Sequence, residues 1–172
     1  MPLYALGELV PTIDETAYVH PDAVVIGAVS VGPEASIWPT AVLRGDNSTI
    51  TVGARTSVQD GTVIHCTSEL PTVIGSDCVV GHNAHLEGCV VEDGCLVGSG
   101  SVLLHRVIVR SGALVAAGAV LAPGTEVPSG ATALGVPARI RPDSVDVESI
   151  RSGVEGYVEA ARTYRTTLRR LD

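Results

Sequence analysis

The sequence predicts an all-β solenoid, a parallel β-helix with three flat faces and a C-terminal α-helix packed along it. Three observations carry that prediction. Across residues 73–138 an aliphatic residue returns every six positions, at Ile74, Val80, Leu86, Val91, Val97, Leu103, Val109, Val115, Leu121 and Val127. A compact residue follows four positions after many of them, at Cys78, Ala84, Cys95, Ser101, Ala113, Ala119 and Thr125. Glycines such as Gly75, Gly81, Gly94, Gly98, Gly112 and Gly118 fall where the chain has to turn. A period of six matches neither the 3.6 of a helix nor the strict alternation of an ordinary strand. It suits one hexapeptide per face, each aliphatic side chain pointing inward, with stacked coils burying a continuous column. So many glycines and β-branched residues would destabilise a helix over this stretch.

Residues 1–18 read as an irregular lead-in. The pattern starts at Val19 and runs through Val25, Val31, Ile37 and Leu43. It breaks at Arg44-Gly45-Asp46-Asn47-Ser48-Thr49, a candidate protruding turn. It resumes at Val52, Val58 and Ile64, and breaks again over residues 66–72. One step is short by a residue, across Glu87-Gly88-Cys89. In a repeat protein the regular rungs are occupied by packing, so chemistry is expected at such departures. The repeat ends at Pro137. Asp143 and Ser144 are helix-start residues, and Tyr157, Ala161, Tyr164, Leu168 and Leu171 follow at helical spacing, an apolar stripe for the side of the prism or a neighbouring subunit. The expected division is 1–140 for the β-helix and 141–172 for the helical segment, within one structural domain.

Composition narrows the function classes. The 172 residues are 45% hydrophobic but only 3% aromatic, with no Phe, which suits a narrow interior filled by Val, Ile, Leu and Ala. A net charge of -8 argues against nucleic acid and anionic membranes as partners. All basic residues are Arg, which excludes Schiff-base chemistry on lysine. No stretch is apolar for long enough to span a bilayer, and the N-terminus lacks the basic start of a signal peptide, so a cytoplasmic location is expected. The four cysteines contain no CxxC pair and read as small apolar fillers in a reducing compartment, with Cys66, beside His65, the one alternative metal donor.

Of five histidines, His20 and His105 have no polar companions in the pattern and read as surface residues. His65 and His82 both project outward from their faces. Their separation of 17 residues is close to one three-sided coil, so spacing places them near one another on adjacent rungs, as a metal site or as two ordinary surface histidines.

Arg44-Gly45-Asp46, then Val58-Gln59-Asp60-Gly61-Thr62-Val63-Ile64-His65, then Gly81-His82-Asn83-Ala84 and Gly88-Cys89 form an ordered series that resembles the motifs of the gamma-class carbonic anhydrases. The resemblance implies a left-handed β-helix and a homotrimer that binds a metal, usually zinc, with iron or cobalt as alternatives, through three histidines from two adjacent subunits. It implies hydration of carbon dioxide by metal-hydroxide attack. Carried over, His65 matches the first ligand, and His82 the second, donated by the neighbouring chain. Arg44, Asp46 and Asp60 match an intersubunit polar network, and Gln59 the residue that orients hydroxide. Glu69 in the 66–72 loop is the candidate proton shuttle, and Tyr157 or Tyr164 approach from the helix. One departure stands out: the third-ligand position holds Glu87 instead of His, with His85 two residues earlier, and Ser57 replaces the usual Asn. Three readings follow: Glu87 as a carboxylate ligand, His85 in its place, or no metal. An anion at position 87 leaves the site one charge less positive, so a water whose pKa is about 7 on three imidazoles becomes harder to deprotonate. The competing classes are an enzyme of the same fold acting on another small carbonyl or acyl substrate, with Glu87 as base, and a catalytically silent binding or assembly homologue.

Overall fold

The computed structural model describes residues 2–172, and they form a left-handed parallel β-helix of about seven turns with one C-terminal helix. The expected inward residues build three columns. On the first face Val19, Ile37, Val58, Val80, Val97, Val115 and Ala133 stack in parallel register. On the second face Val25, Leu43, Ile64, Leu86, Leu103 and Leu121 do the same. The third face carries Val31, Val52, Ile74, Val91, Val109 and Val127. All are buried, and the second-face column is wholly closed to solvent. The inward side chains of all three faces meet in one buried cluster, so the core is one narrow column. Corners need a left-handed backbone residue; Gly94 supplies one at φ 68°, and Asn83 another at φ 56°.

The irregular places differ from the sequence reading in instructive ways. Residues 44–49 do not form a turn; they lie within one strand, Val42–Val52, that wraps from the second face to the third. Three extra residues bulge from it where Gly27 pairs with Gly45 but Val29 pairs with Ile50. The lead-in is not irregular throughout, because Leu3–Tyr4 and Thr12–Ile13 each pair in parallel with the strand Val24–Val31. The 66–72 break is a tight loop in which Thr67 N–H donates to the Leu70 carbonyl and Thr67 Oγ1 accepts from Leu70 N–H. Its extra length changes the pitch: Val80 pairs with Val97, but Val58 pairs with Val80, so that coil takes 22 residues instead of 17.

The helix Val147–Thr167 starts later than Asp143 and Ser144 suggested. Asp146 is its N-cap and accepts from the Glu148 and Ser149 N–H groups. Ile150, Val154 and Val158 are buried against Val79 and Leu96 on the first face. Further along, Tyr157 and Tyr164 meet Trp38 edge-on at 6.1 and 5.1 Å, and Tyr18 packs on Trp38 at 5.6 Å. Leu168 and Leu171 lie past the helix end and are exposed, so the apolar stripe stops short of them. The chain's own helix thereby covers the first face from Tyr18 to Leu96, while among the described residues no helix packs on the second and third faces.

Candidate functional site

The open second face holds the chemistry, and the parallel register explains why. Arg44, His65 and Glu87 are successive partners on neighbouring strands, so their side chains leave the same side of the sheet one rung apart. His65 Nδ1 lies 2.8 Å from Glu87 Oε1, and its Nε2 lies 2.9 Å from Asp46 Oδ1. Both contacts are hydrogen bonds only when the ring carries a proton on each nitrogen. Arg44 pairs with the other oxygen of Asp46, and Asn47 donates to Oδ1 at 3.0 Å. Burial pushes the Asp46 carboxyl up, but hydrogen bonds from His65 and Arg44 outweigh it and hold it below its ordinary value. Glu87 is lowered chiefly by the His65 hydrogen bond, against burial, with the charges of His65, His105 and His85 adding to the effect.

His82 stands elsewhere. It occupies the corner that leads into the second face, half exposed, with Nδ1 held 2.9 Å from Asp60 Oδ2. The spacing argument that put His65 and His82 together on adjacent rungs is therefore corrected. Because this coil takes 22 residues, the partner of His65 one rung up is Glu87, and His82 is stranded five residues earlier, at the far edge of the face. Asp60 and His82 form a pair of their own, with buried Gln59 just before Asp60. Within the single chain the candidate residues thus form two separate groups.

Other expected participants lie apart from both halves. Glu69 is exposed at the tip of the 66–72 loop. Tyr157 and Tyr164 sit with Trp38 under the helix, on the first face. Cys66 turns inward, where its sulfur accepts from Ser48 N–H at 3.3 Å, and so does not join His65. All four cysteines are free and buried, and burial pushes the Cys89 thiol up to about 12, which leaves it inert. His20 is not a surface residue, since its side chain is only 13% exposed and its Nδ1 accepts from Asp22 N–H. The sequence reading also missed His105, whose Nε2 reaches to 3.5 Å from Glu87 Oε2; His85 Nε2 is 3.8 Å from the same atom. An outward residue about one coil away is a neighbour in this fold, and that was the available signal for His105.

Among the described residues no three His, Cys, Asp or Glu side chains of one protomer are arranged to hold a metal ion. A groove of about 480 Å³ runs beside the helix, lined by Arg55, Asp93, Ile150 and Arg151 among others, and it contains none of these site residues.

Fold and site together define a hexapeptide-repeat β-helix protein with an open polar face. The family model described as bacterial transferase hexapeptide (six repeats) matches residues 71–105, and that of the hexapeptide repeat of succinyl-transferase matches residues 90–123. A probable carbonic anhydrase of Methanocaldococcus jannaschii is 41% identical over 153 residues, which cover 88% of this chain and 96% of that protein. Gamma carbonic anhydrase 2, mitochondrial, of Arabidopsis thaliana is 40% identical over 162 residues, 90% of this chain. The chain spans 58% of that relative's length and 52% of gamma carbonic anhydrase 1 from the same plant. A crystal structure of a hexapeptide transferase family protein from Anaplasma phagocytophilum superposes with a TM-score of 0.91 at 34% identity, covering 95% of this chain and 98% of that one. The chain belongs to the gamma-class carbonic anhydrase family.

Proposed function

We propose that this protein is a gamma-carbonic-anhydrase-like metalloenzyme that hydrates carbon dioxide to bicarbonate at a site shared between copies of the chain. The observation that carries this reading is the separation of the two halves. His65 and Glu87 stand side by side at one edge of an uncovered face, while His82 waits at the other edge. Asp60 holds His82 by Nδ1, which orients the ring and leaves Nε2 available, the carboxylate–histidine arrangement typical of metal ligands. The donor set suits zinc or iron only as a shared one: His65 and Glu87 from one protomer, His82 from the next, with His85 beside Glu87 as the alternative donor.

The same face supports the homotrimer. Val24, Val42, Val63, Val102 and Val120 form an outward column broken only by His85. Such an aliphatic stripe beside the polar cluster favours burial against another copy. No helix among the described residues is long and apolar enough to cross a membrane, and the buried free thiols suit a reducing, cytoplasmic setting.

A bound divalent ion supplies a Lewis acid that makes water nucleophilic at neutral pH. The chain's own residues do the rest. Glu87 fixes His65 by Nδ1, and Arg44 holds Asp46 beside Nε2, the nitrogen that would have to exchange Asp46 for an ion. Gln59 and Asp60 set the opposite edge. Glu69, exposed on the 66–72 loop but apart from both halves, is the candidate to pass a proton to buffer.

The test is metal analysis of the purified protein, followed by stopped-flow hydration assays on zinc-loaded and anaerobic iron-loaded samples. Metal uptake with hydration well above the uncatalysed rate is expected. A fully loaded protein without hydration would overturn the assignment. Likeness to the crystal structure of a putative acetyltransferase of Bacillus cereus, at 30% identity and a TM-score of 0.94, favours a second reading. In it the cleft acts on another small carbonyl or acyl substrate with Glu87 as general base. Acetyl-thioester turnover without hydration would select it.

A further inference from the structure

Glu87 stands where an imidazole was expected, and the rung above has a feature that matches the exchange. His105 Nε2 is buried and has no hydrogen-bond partner, an unusual state for a ring nitrogen. Glu87 Oε2 stands 3.5 Å from it. The ring lies over Gly88, where an added Cβ would come within 3.3 Å of His105 Cδ2 and 3.0 Å of Leu70 Cβ. At that residue φ is also 59°, so Gly88 both turns the corner and keeps the space that the His105 ring occupies. The two oxygens of Glu87 are thus divided: Oε1 goes to His65 at 2.8 Å, and Oε2 faces His105, with His85 further off at 3.8 Å.

We infer that His105 is a positioning residue for Glu87, its otherwise unpartnered Nε2 facing Oε2 at 3.5 Å so that the carboxylate turns Oε1 to His65. An imidazole at position 87 would present a single donor nitrogen. A carboxylate has two oxygens and can grip an ion through both. With Oε2 turned to His105, Oε1 is the one oxygen left for an ion, and it would have to exchange its contact with His65 Nδ1 for that ion. This rests on Glu87 being a donor in the proposed shared site, although the conformation of Glu87 can be read without any metal.

His105→Leu and His105→Gln separate the roles, since both fill the space over Gly88 and only Gln keeps a donor. Crystal structures of the metal-free variants should show Glu87 turned away from its present position in His105→Leu and retained in His105→Gln. On cobalt loading, His105→Leu should shift the visible d–d bands, as the coordination number changes, and bind cobalt about 10–100-fold more weakly. His105→Gln should restore both. An unmoved Glu87 in metal-free His105→Leu would overturn the inference. Failure of the wild type to take up cobalt would instead count against the shared metal site, and the metal-free structures would still decide the role of His105.

Discussion

At the scale of single residues, the exchange of imidazole for carboxylate at position 87 decides how the site is charged. The negative charge of Glu87 is stabilised by His65, His85 and His105 around it. Glu87→His removes one negative charge from the site proposed to form an anionic product, and a neutral imidazole still offers His105 an acceptor. Hydration at pH 7 should rise by about an order of magnitude, equivalent to ~1.4 kcal/mol. A metal-replete variant no faster than wild type would refute the charge argument. The same carboxylates govern acid stability. Asp46 and Glu87 have folded values below their ordinary 3.8 and 4.5, so each contributes stability that is present above those values and lost as pH falls through the lowered ones. The melting temperature should therefore drop as pH is taken below 4.5, and Glu87→Gln should flatten that dependence. Parallel curves for the two proteins would mean that Glu87 contributes nothing through its charge.

At the scale of elements, stability resides in the column and shape in the corners. Leu86 and Leu103 are wholly buried and stacked on adjacent rungs of the one core cluster. Leu86→Ala is expected to cost about 2–5 kcal/mol in urea unfolding, because neighbouring coils cannot collapse into the space. Gly88→Ala should cost about 1–3 kcal/mol through its positive φ and its contacts with Leu70 and His105; an unchanged midpoint would show that the loop simply shifts. This is also where the sequence was easiest and hardest to read. Val58, Leu86 and Val115 declared themselves because a regular period can be satisfied in only one way. Residues 44–49 did not, because three extra residues within a strand look, as sequence, like any polar turn. What keeps the segment in strand is the pairing on either side of the bulge, Gly27 with Gly45 and Val29 with Ile50, about twenty positions away. The His65–His82 distance failed for a related reason: a longer 66–72 loop changes the coil length, and no local pattern reveals how much of a loop is spent on going round. His105 was hidden because its companion, Glu87, belongs to the previous rung.

At the scale of the whole molecule, the separation of His65 from His82 is either a defect or a statement about assembly. If the open second face meets another copy, its valine column should be buried there. Val63, 39% exposed in the single chain, is a direct probe. Val63→Glu should convert the assembly to monomers in analytical ultracentrifugation and lose metal with it; a variant that stays trimeric would move the interface elsewhere. A sharper test uses two inactive variants. His65→Ala and His82→Ala each remove one half of every shared site, so either homotrimer alone should bind metal weakly and be inactive. Mixed trimers differ. Wherever a His82→Ala chain offers its His65 to a His65→Ala neighbour that retains His82, the site is whole again. With random mixing of equal amounts, each site needs two independent choices, so about a quarter of wild-type metal content and activity should return. A site contained within one chain cannot be rescued in this way, because every protomer of the mixture still lacks one imidazole. Unfolding and refolding the two variants together, then measuring metal and hydration against each refolded alone, distinguishes the cases without any structure of the assembly.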